Sequence, residues 1–237
     1  MAIGGWRLLS SSASSARTVV AVDFTLAKVR AQAGFGDLAP HLPGDCALWA
    51  TDETGWPATP GDPHAHVAAW RDRAAGLGNF HAVLGFCAGG ALAGALAPAG
   101  ARLVLFDPVL VSSRTIAEHY ADAVRRTGTE PDPIPDAGAA DAEDLAARYA
   151  VVARKVLGDQ GVPDSIIEQL GGRVAVNLRY LAMSRAAGYD NLRPDLLVLS
   201  RDHEVPAALA GAPAVRLEAT QEQLLAAPAA AAAAVPA

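Results

Sequence analysis

The sequence is short of cysteine, of net positive charge and of long apolar runs, and each shortage removes a class of protein. Two cysteines among 237 residues, Cys46 and Cys87, cannot build a disulfide framework or a zinc site. A formal net charge of −6 argues against a sequence-independent nucleic-acid binder. No apolar run approaches the ~18–20 residues of a membrane span. The N-terminus has no charged segment ahead of a long apolar stretch, because Leu8 and Leu9 lead straight into Ser10–Ser12. No secretion signal is expected there, and the expected location is the cytoplasm. Self-similarity at a period of roughly 20–50 residues is also missing, which removes solenoids and propellers.

What remains suits one globular domain. Hydrophobic residues make up 51% and charged residues 19%, enough to build a sizeable core and too apolar for global disorder. The domain is expected over residues 1–225. Residues 226–237 are almost entirely alanine with Pro228 and Pro236, and read as one poor helix or a linker.

Short apolar runs mark buried strands at Thr18–Val22, Ala47–Ala50, Ala82–Gly85, Leu103–Phe106, Leu196–Leu199 and Ala214–Leu217. Helical stretches at Leu26–Leu42, Pro63–Leu77 and Gly90–Leu96 lie between them. This alternation predicts an α/β fold with a mostly parallel sheet and helices on both faces. Ligands then sit beyond the carboxyl ends of the strands. Residues 113–190 break the rhythm. They carry helical patterns at Thr115–Arg126, Ala140–Leu157 and Asp164–Ser184 around a Pro/Gly-rich stretch, Thr127–Gly138, and no clear strand. A helical lid over a pocket is the functional reading, and a purely structural helical subdomain the plain one.

The sharpest chemical signal is Gly85-Phe86-Cys87-Ala88-Gly89-Gly90, between a strand and a small-residue helix. A strand, Gly-x-nucleophile-x-Gly, then a helix is the pattern of a nucleophile elbow. The turn holds its middle residue at strained dihedrals, and side chains two before and two after would collide. Ala88, Ala91 and Ala95 let the helix approach the sheet. Cys87 is then placed at a helix N-terminus, where partial positive charge favours thiolate. The alternative is a buried structural cysteine in a Gly/Ala-rich turn. Cys46, at the head of an apolar run, reads as core.

Asp107 closes the run Leu103–Phe106 at its carboxyl end. If that strand neighbours the elbow strand, the carboxylate can hold an imidazole facing Cys87. Asp202, beyond Leu196–Leu199, is the competing acid. Either aspartate could equally be a cap or a loop residue.

These residues together resemble the α/β-hydrolase thioesterases that release acyl chains from polyketide and nonribosomal peptide synthetases. Arg102-Leu-Val-Leu-Phe-Asp107-Pro resembles the family's strand ending in the acid of its triad. Thr18-Val-Val-Ala-Val-Asp-Phe-Thr25, running on to Leu38-Ala-Pro-His-Leu-Pro43, resembles its first core strand, oxyanion loop and helix. Val176-Asn-Leu-Arg-Tyr180 before Arg193-Pro-Asp-Leu-Leu-Val198 resembles the end of its lid and the next strand. The resemblance spans most of residues 15–225, with the elbow its specific part. It implies an oxyanion hole from the backbone N–H groups of Thr25 and Ala88. It also implies no cofactor, and an acyl or peptidyl carrier protein that presents the substrate on phosphopantetheine.

Two departures shape the expected chemistry. The family's usual nucleophile is serine; cysteine occurs in some members, and dienelactone hydrolases also carry Gly-x-Cys-x-Gly-Gly. A thioester acyl-enzyme suits transfer to a weak or internal nucleophile. The family's histidine should follow the last core strand, but Val215–Leu225 contains none, and Gln221 stands at its place. In the fold's order of nucleophile, acid and base, only His119 and His203 follow Cys87. His119 reads as an exposed residue of a lid helix. His203, in the loop beyond a strand's carboxyl end, is the candidate replacement base or else a plain loop residue. His64 and His66 read as surface residues near a helix start, His41 and His81 carry no distinct signal, and no metal is expected. The catalytic candidates are therefore Cys87, Asp107 and His203. The leading function is acyl transfer through an acyl-Cys87 intermediate. The alternatives are a catalytically degenerate binding or assembly protein and a dienelactone-hydrolase-like esterase.

Overall fold

The computed structural model describes residues 2–3, 5–11, 15–24, 33–52, 60–134, 141–190 and 192–236. Eight strands form one sheet: β1 (Ala2–Ile3), β2 (Trp6–Ser10), β3 (Arg17–Val22), β4 (Cys46–Thr51), β5 (Phe80–Phe86), β6 (Arg102–Phe106), β7 (Leu196–Leu199) and β8 (Ala214–Arg216), in the order β1-β2-β4-β3-β5-β6-β7-β8. The six strands from β4 to β8 across the sheet run parallel, while β1 and β2 add an antiparallel edge. This is the mostly parallel α/β sheet that the alternation of apolar runs and helical stretches predicts, and it agrees with the α/β-hydrolase fold that the resemblance implies.

Burial on both faces explains why the parallel strands read as continuous apolar runs. Val20, Val22, Val83, Leu103, Leu105, Leu197 and Leu199 point into one core layer. Val19, Ala21, Leu84, Val104, Phe106 and Val198 point into the other. The first layer is covered by α2 (Pro63–Ala75), α3 (Gly89–Leu96), α4 (Ser113–Arg125), α5 (Ala142–Asp159) and α6 (Asp164–Ala187). The second is covered by α1 (Phe35–Leu38) and α7 (Pro228–Ala234). Helix starts follow their caps. Asp62 accepts from the N–H groups of His64 and Ala65 with Pro63 at the first helical position, and Ser112 and Asp141 cap α4 and α5 in the same way.

Three differences from the sequence reading have physical causes. The edge strands β1 and β2 went unanticipated because they are short and run into serines. What fixes the edge is Trp6, fully buried and stacked on Trp70 of α2 with ring centroids 5.5 Å apart. The helix expected over Leu26–Leu42 is helical at Phe35–Leu38 and continues as a 3-10 turn over Ala39–His41; residues 26–32 lie outside the described residues. The expected tail is also not separate from the domain. Ala230, Ala231, Ala234 and Val235 are buried against the sheet with Phe106 and Val198, so the packing does not end at 225. Alanine's small side chain, which made the segment look characterless, is what lets α7 lie close on the strands.

Between β6 and β7 the described residues carry the three helices α4, α5 and α6 and no strand. α5 and α6 pair through Glu143 and Arg179, whose guanidinium donates 2.8 and 2.9 Å bonds to the two carboxylate oxygens. No helix among the described residues is long and apolar enough to cross a membrane.

Candidate functional site

Cys87 sits at the sharp turn between β5 and α3 with φ +52°, a left-handed conformation that costs a non-glycine residue about 1–3 kcal/mol. Neighbouring backbone holds it there. Its N–H donates to Phe106 O at 2.9 Å, and its carbonyl accepts from Gly90 N at 3.1 Å and from Val109 N at 3.4 Å. The flanking glycines are required by space. A Cβ on Gly85 would lie 2.7 Å from Ala93 Cβ and from Gly90 Cα, and one on Gly89 would run into the Val22 carbonyl oxygen. The turn therefore has the geometry of an elbow, with Cys87 partly exposed. Cys46 is 4% exposed in the core, where burial pushes its thiol pKa up.

Asp107 lies one strand away, immediately after Phe106, which pairs with Phe86 in the parallel register. It too has a positive φ, +41°, which aspartate tolerates better than most residues. Its side chain is fully buried. Oδ1 accepts the Ser200 N–H at 2.8 Å, while Oδ2 has no hydrogen-bond partner among the described residues. His203 joins this carboxylate. Its Nδ1 is 3.8 Å from Asp107 Oδ1, its side chain is 12% exposed, and its Nε2 lies 3.0 Å from Pro108 O. A carbonyl only accepts, so Nε2 carries the proton in this contact.

The competing residues stand elsewhere. The Asp202 side chain is 89% exposed and faces Arg201 at 3.6 Å. Gln221 is exposed in the turn after β8, and His119 is exposed on α4 beside Asn177 at 3.3 Å. His41, His64 and His81 are exposed and His66 is half-buried. Among the described residues no group of three or more His, Cys, Asp or Glu side chains is placed to hold a metal ion. Of the two oxyanion candidates, Thr25 lies outside the described residues. Ala88 is the N-cap of α3, where the first backbone N–H groups of a helix lack intrahelical acceptors.

The sequence reading missed the hydroxyls that the end of the insertion brings to the elbow. Ser184 Oγ donates to Ala88 O at 2.5 Å, and Tyr189 Oη donates to Val109 O at 3.1 Å. A Cβ on Gly90 would meet the Tyr189 hydroxyl at 2.6 Å, and one on Gly89 the Tyr180 hydroxyl at 2.9 Å. The Tyr180 ring also stacks on Phe24, centroids 3.5 Å apart. Burial, and then the nearby Cys87, push the Tyr189 pKa far above the ordinary tyrosine value, so its hydroxyl stays a donor. The available signal was spacing: Tyr180 and Ser184 are four apart and share one helix face.

No protein-family model matches the chain, and no curated protein matches it significantly. Solved structures of similar fold do exist. Two are of the Vlm2 thioesterase domain carrying genetically encoded 2,3-diaminopropionic acid and bound with a dodecadepsipeptide. One has a TM-score of 0.52 and 17% identity, the other 0.50 and 19%, each covering 98% of this chain and 96% of that one. A third is an alpha/beta hydrolase from Sphaerobacter thermophilus, with a TM-score of 0.50 and 15% identity over 93% of this chain and 92% of its own.

Proposed function

We propose that the chain, an α/β-hydrolase by fold, is a cytoplasmic acyl-transfer enzyme of the thioesterase type, with Cys87 as nucleophile, Asp107 as acid partner and His203 as base. The observation that carries this reading is the elbow: a cysteine at φ +52° between glycines that tolerate no Cβ, one strand from a buried carboxylate. A strained backbone of this kind persists only where surrounding structure enforces it, and it aims the sulfur outward from the sheet end. The proposed substrate is an acyl or peptidyl chain held as a thioester on a carrier protein's phosphopantetheine. The likeness in fold to a thioesterase domain that holds a dodecadepsipeptide supports that class.

In the first step the Cys87 thiolate attacks the thioester carbonyl. The oxyanion is stabilised by the Ala88 N–H and, by the resemblance, the Thr25 N–H. The carbon–sulfur bond to the carrier breaks, the carrier leaves as a thiolate that takes its proton from solvent, and an acyl-Cys87 thioester remains. In the second step water, or a hydroxyl or amine of the acyl chain, attacks that thioester while His203 takes its proton. The carbon–sulfur bond to Cys87 breaks, the acid, ester or amide is released, the Cys87 thiolate is restored and His203 passes the proton to solvent. The imidazole must first release Pro108 O and carry its proton on Nδ1 instead of Nε2. Asp107 Oδ2, buried and without a hydrogen-bond partner among the described residues, is then an acceptor for the Nδ1–H. Such a positioned base contributes about 10²–10⁴-fold.

The test is intact-mass analysis after incubation with a panel of acyl thioesters, comparing the native protein with Cys87→Ala. An acyl adduct on the native protein alone supports the reading. No adduct and no thioester cleavage with any member of the panel sinks it. One observation favours a second reading, a binding or assembly protein on a degenerate thioesterase fold. Gln221 occupies the position after β8, and the Nε2 of His203 is engaged with a carbonyl. Binding of the panel without turnover would favour that account.

A further inference from the structure

The segment beyond β8 has no histidine, but the strand itself supplies a cation that reaches back toward β7. Arg216, the last residue of β8, pairs with Leu199 at the end of β7. Its Nη1 lies 2.6 Å from the Ser200 carbonyl oxygen and 3.0 Å from those of Arg201 and His203. Three carbonyl dipoles thus direct their negative ends at one point. Without a cation there they would repel one another and the loop would open. A guanidinium stays charged at any physiological pH, and here the two N–H bonds of Nη1 are shared among the three oxygens. The loop gathered in this way is the one that meets the acid. Ser200 N–H donates to Asp107 Oδ1 at 2.8 Å, and His203 Nδ1 faces the same oxygen at 3.8 Å. The loop's further backbone ties are Arg201 N to Ala219 O at 3.0 Å and His203 N to Ser200 O at 3.3 Å, beside the contact of the His203 ring with Pro108 O. None of these holds the His203 carbonyl, where the chain turns away from the site.

We infer that Arg216 is a positioning residue. By collecting the Ser200, Arg201 and His203 carbonyls on one guanidinium nitrogen, it keeps the loop after β7 in the shape that sets His203 against Asp107. The effect on turnover rests on His203 serving as the base of the proposed reaction, and Arg216 acts only through the loop. β8 thereby still serves the base, although the base has moved to the neighbouring loop.

The test uses the full chain with Arg216→Met, which keeps most of the stem and removes the charge, and Arg216→Lys, which keeps the charge without the fork. Two quantities are read: the ring-nitrogen NMR resonances of His203, and the single-turnover rates of Cys87 acylation and deacylation with a simple acyl thioester. Expected for Arg216→Met are His203 resonances moved to those of an exposed histidine and deacylation slowed roughly tenfold, with acylation changed by less than about twofold. Arg216→Lys should recover part of both. Added to His203→Ala, Arg216→Met should slow deacylation no further, since both act at one step. Unchanged His203 resonances, or a second full tenfold loss in the double variant, would overturn the inference. If the unmodified protein forms no acyl-Cys87, the proposed function fails, while the NMR readout still decides the role of Arg216. Should Arg216→Met not fold, Arg216→Lys supplies the same two readouts.

Discussion

Cys87 and His203 stand at the ends of strands two apart, with Asp107 between them, and the two loops are held by different forces. The elbow is held by lack of space: Gly85 and Gly89 leave no room for a methyl group, and backbone hydrogen bonds from β6 and the turn pin Cys87. The His203 loop is held by polar contacts, from Ser200 N–H to Asp107 and from Arg216 to three carbonyls. A site enforced by packing tolerates changes of charge and fails on added volume. A site enforced by hydrogen bonds responds in the opposite way.

The largest expected effect breaks the elbow. Gly89→Ala drives a Cβ into the Val22 carbonyl oxygen, which is backbone and cannot swing aside. Urea denaturation should show a loss of about 2–3 kcal/mol or a failure to fold. Full stability in that variant would remove the packing account of the turn.

The next effect falls on the polar side. Asp107→Asn keeps the shape, and asparagine tolerates the positive φ, so the chain should fold. Deacylation of acyl-Cys87 should slow by at least roughly tenfold, and His203→Ala should match it. Normal deacylation in both variants would deny His203 and Asp107 their roles.

A third measurement compares the two thiols. With iodoacetamide near neutral pH, mass spectrometry should find Cys87 modified first, because Cys46 is 4% exposed and its thiol is held protonated by burial. Faster labelling of Cys46 would contradict both placements.

The smallest effect concerns Tyr189 and alkaline pH. Its folded pKa lies above the unfolded value near 10, so ionisation favours the unfolded chain. The contribution is complete below about pH 10 and is lost as pH rises toward the folded pKa. Stability should fall in that alkaline window, and Tyr189→Phe should flatten the fall. An unaltered alkaline limb in the variant would assign the loss to other groups.

The parallel strands and the elbow were legible because their causes are local. A strand buried on both faces must be apolar throughout, and a turn with no space must carry glycine at fixed offsets, so Leu196–Leu199 and Gly85–Gly89 could be read directly. The two competing aspartates show where that reading stops. Asp107 and Asp202 each follow an apolar run, and only the sheet order, with β6 beside β5, buries one at the site and leaves the other 89% exposed. Tyr189, Arg216 and the alanine helix α7 were silent for the same reason. Their contacts join residues far apart in the chain, such as Tyr189 with Val109, or Arg102 with Ala233 of α7. The sequence by itself determined the parallel strands, the glycine-flanked turn at Cys87 and the absence of a histidine after β8. The tertiary structure decided which carboxylate is buried, which histidine meets it and what holds that histidine's loop, because hydrogen bonds between distant segments leave no periodic trace along the chain.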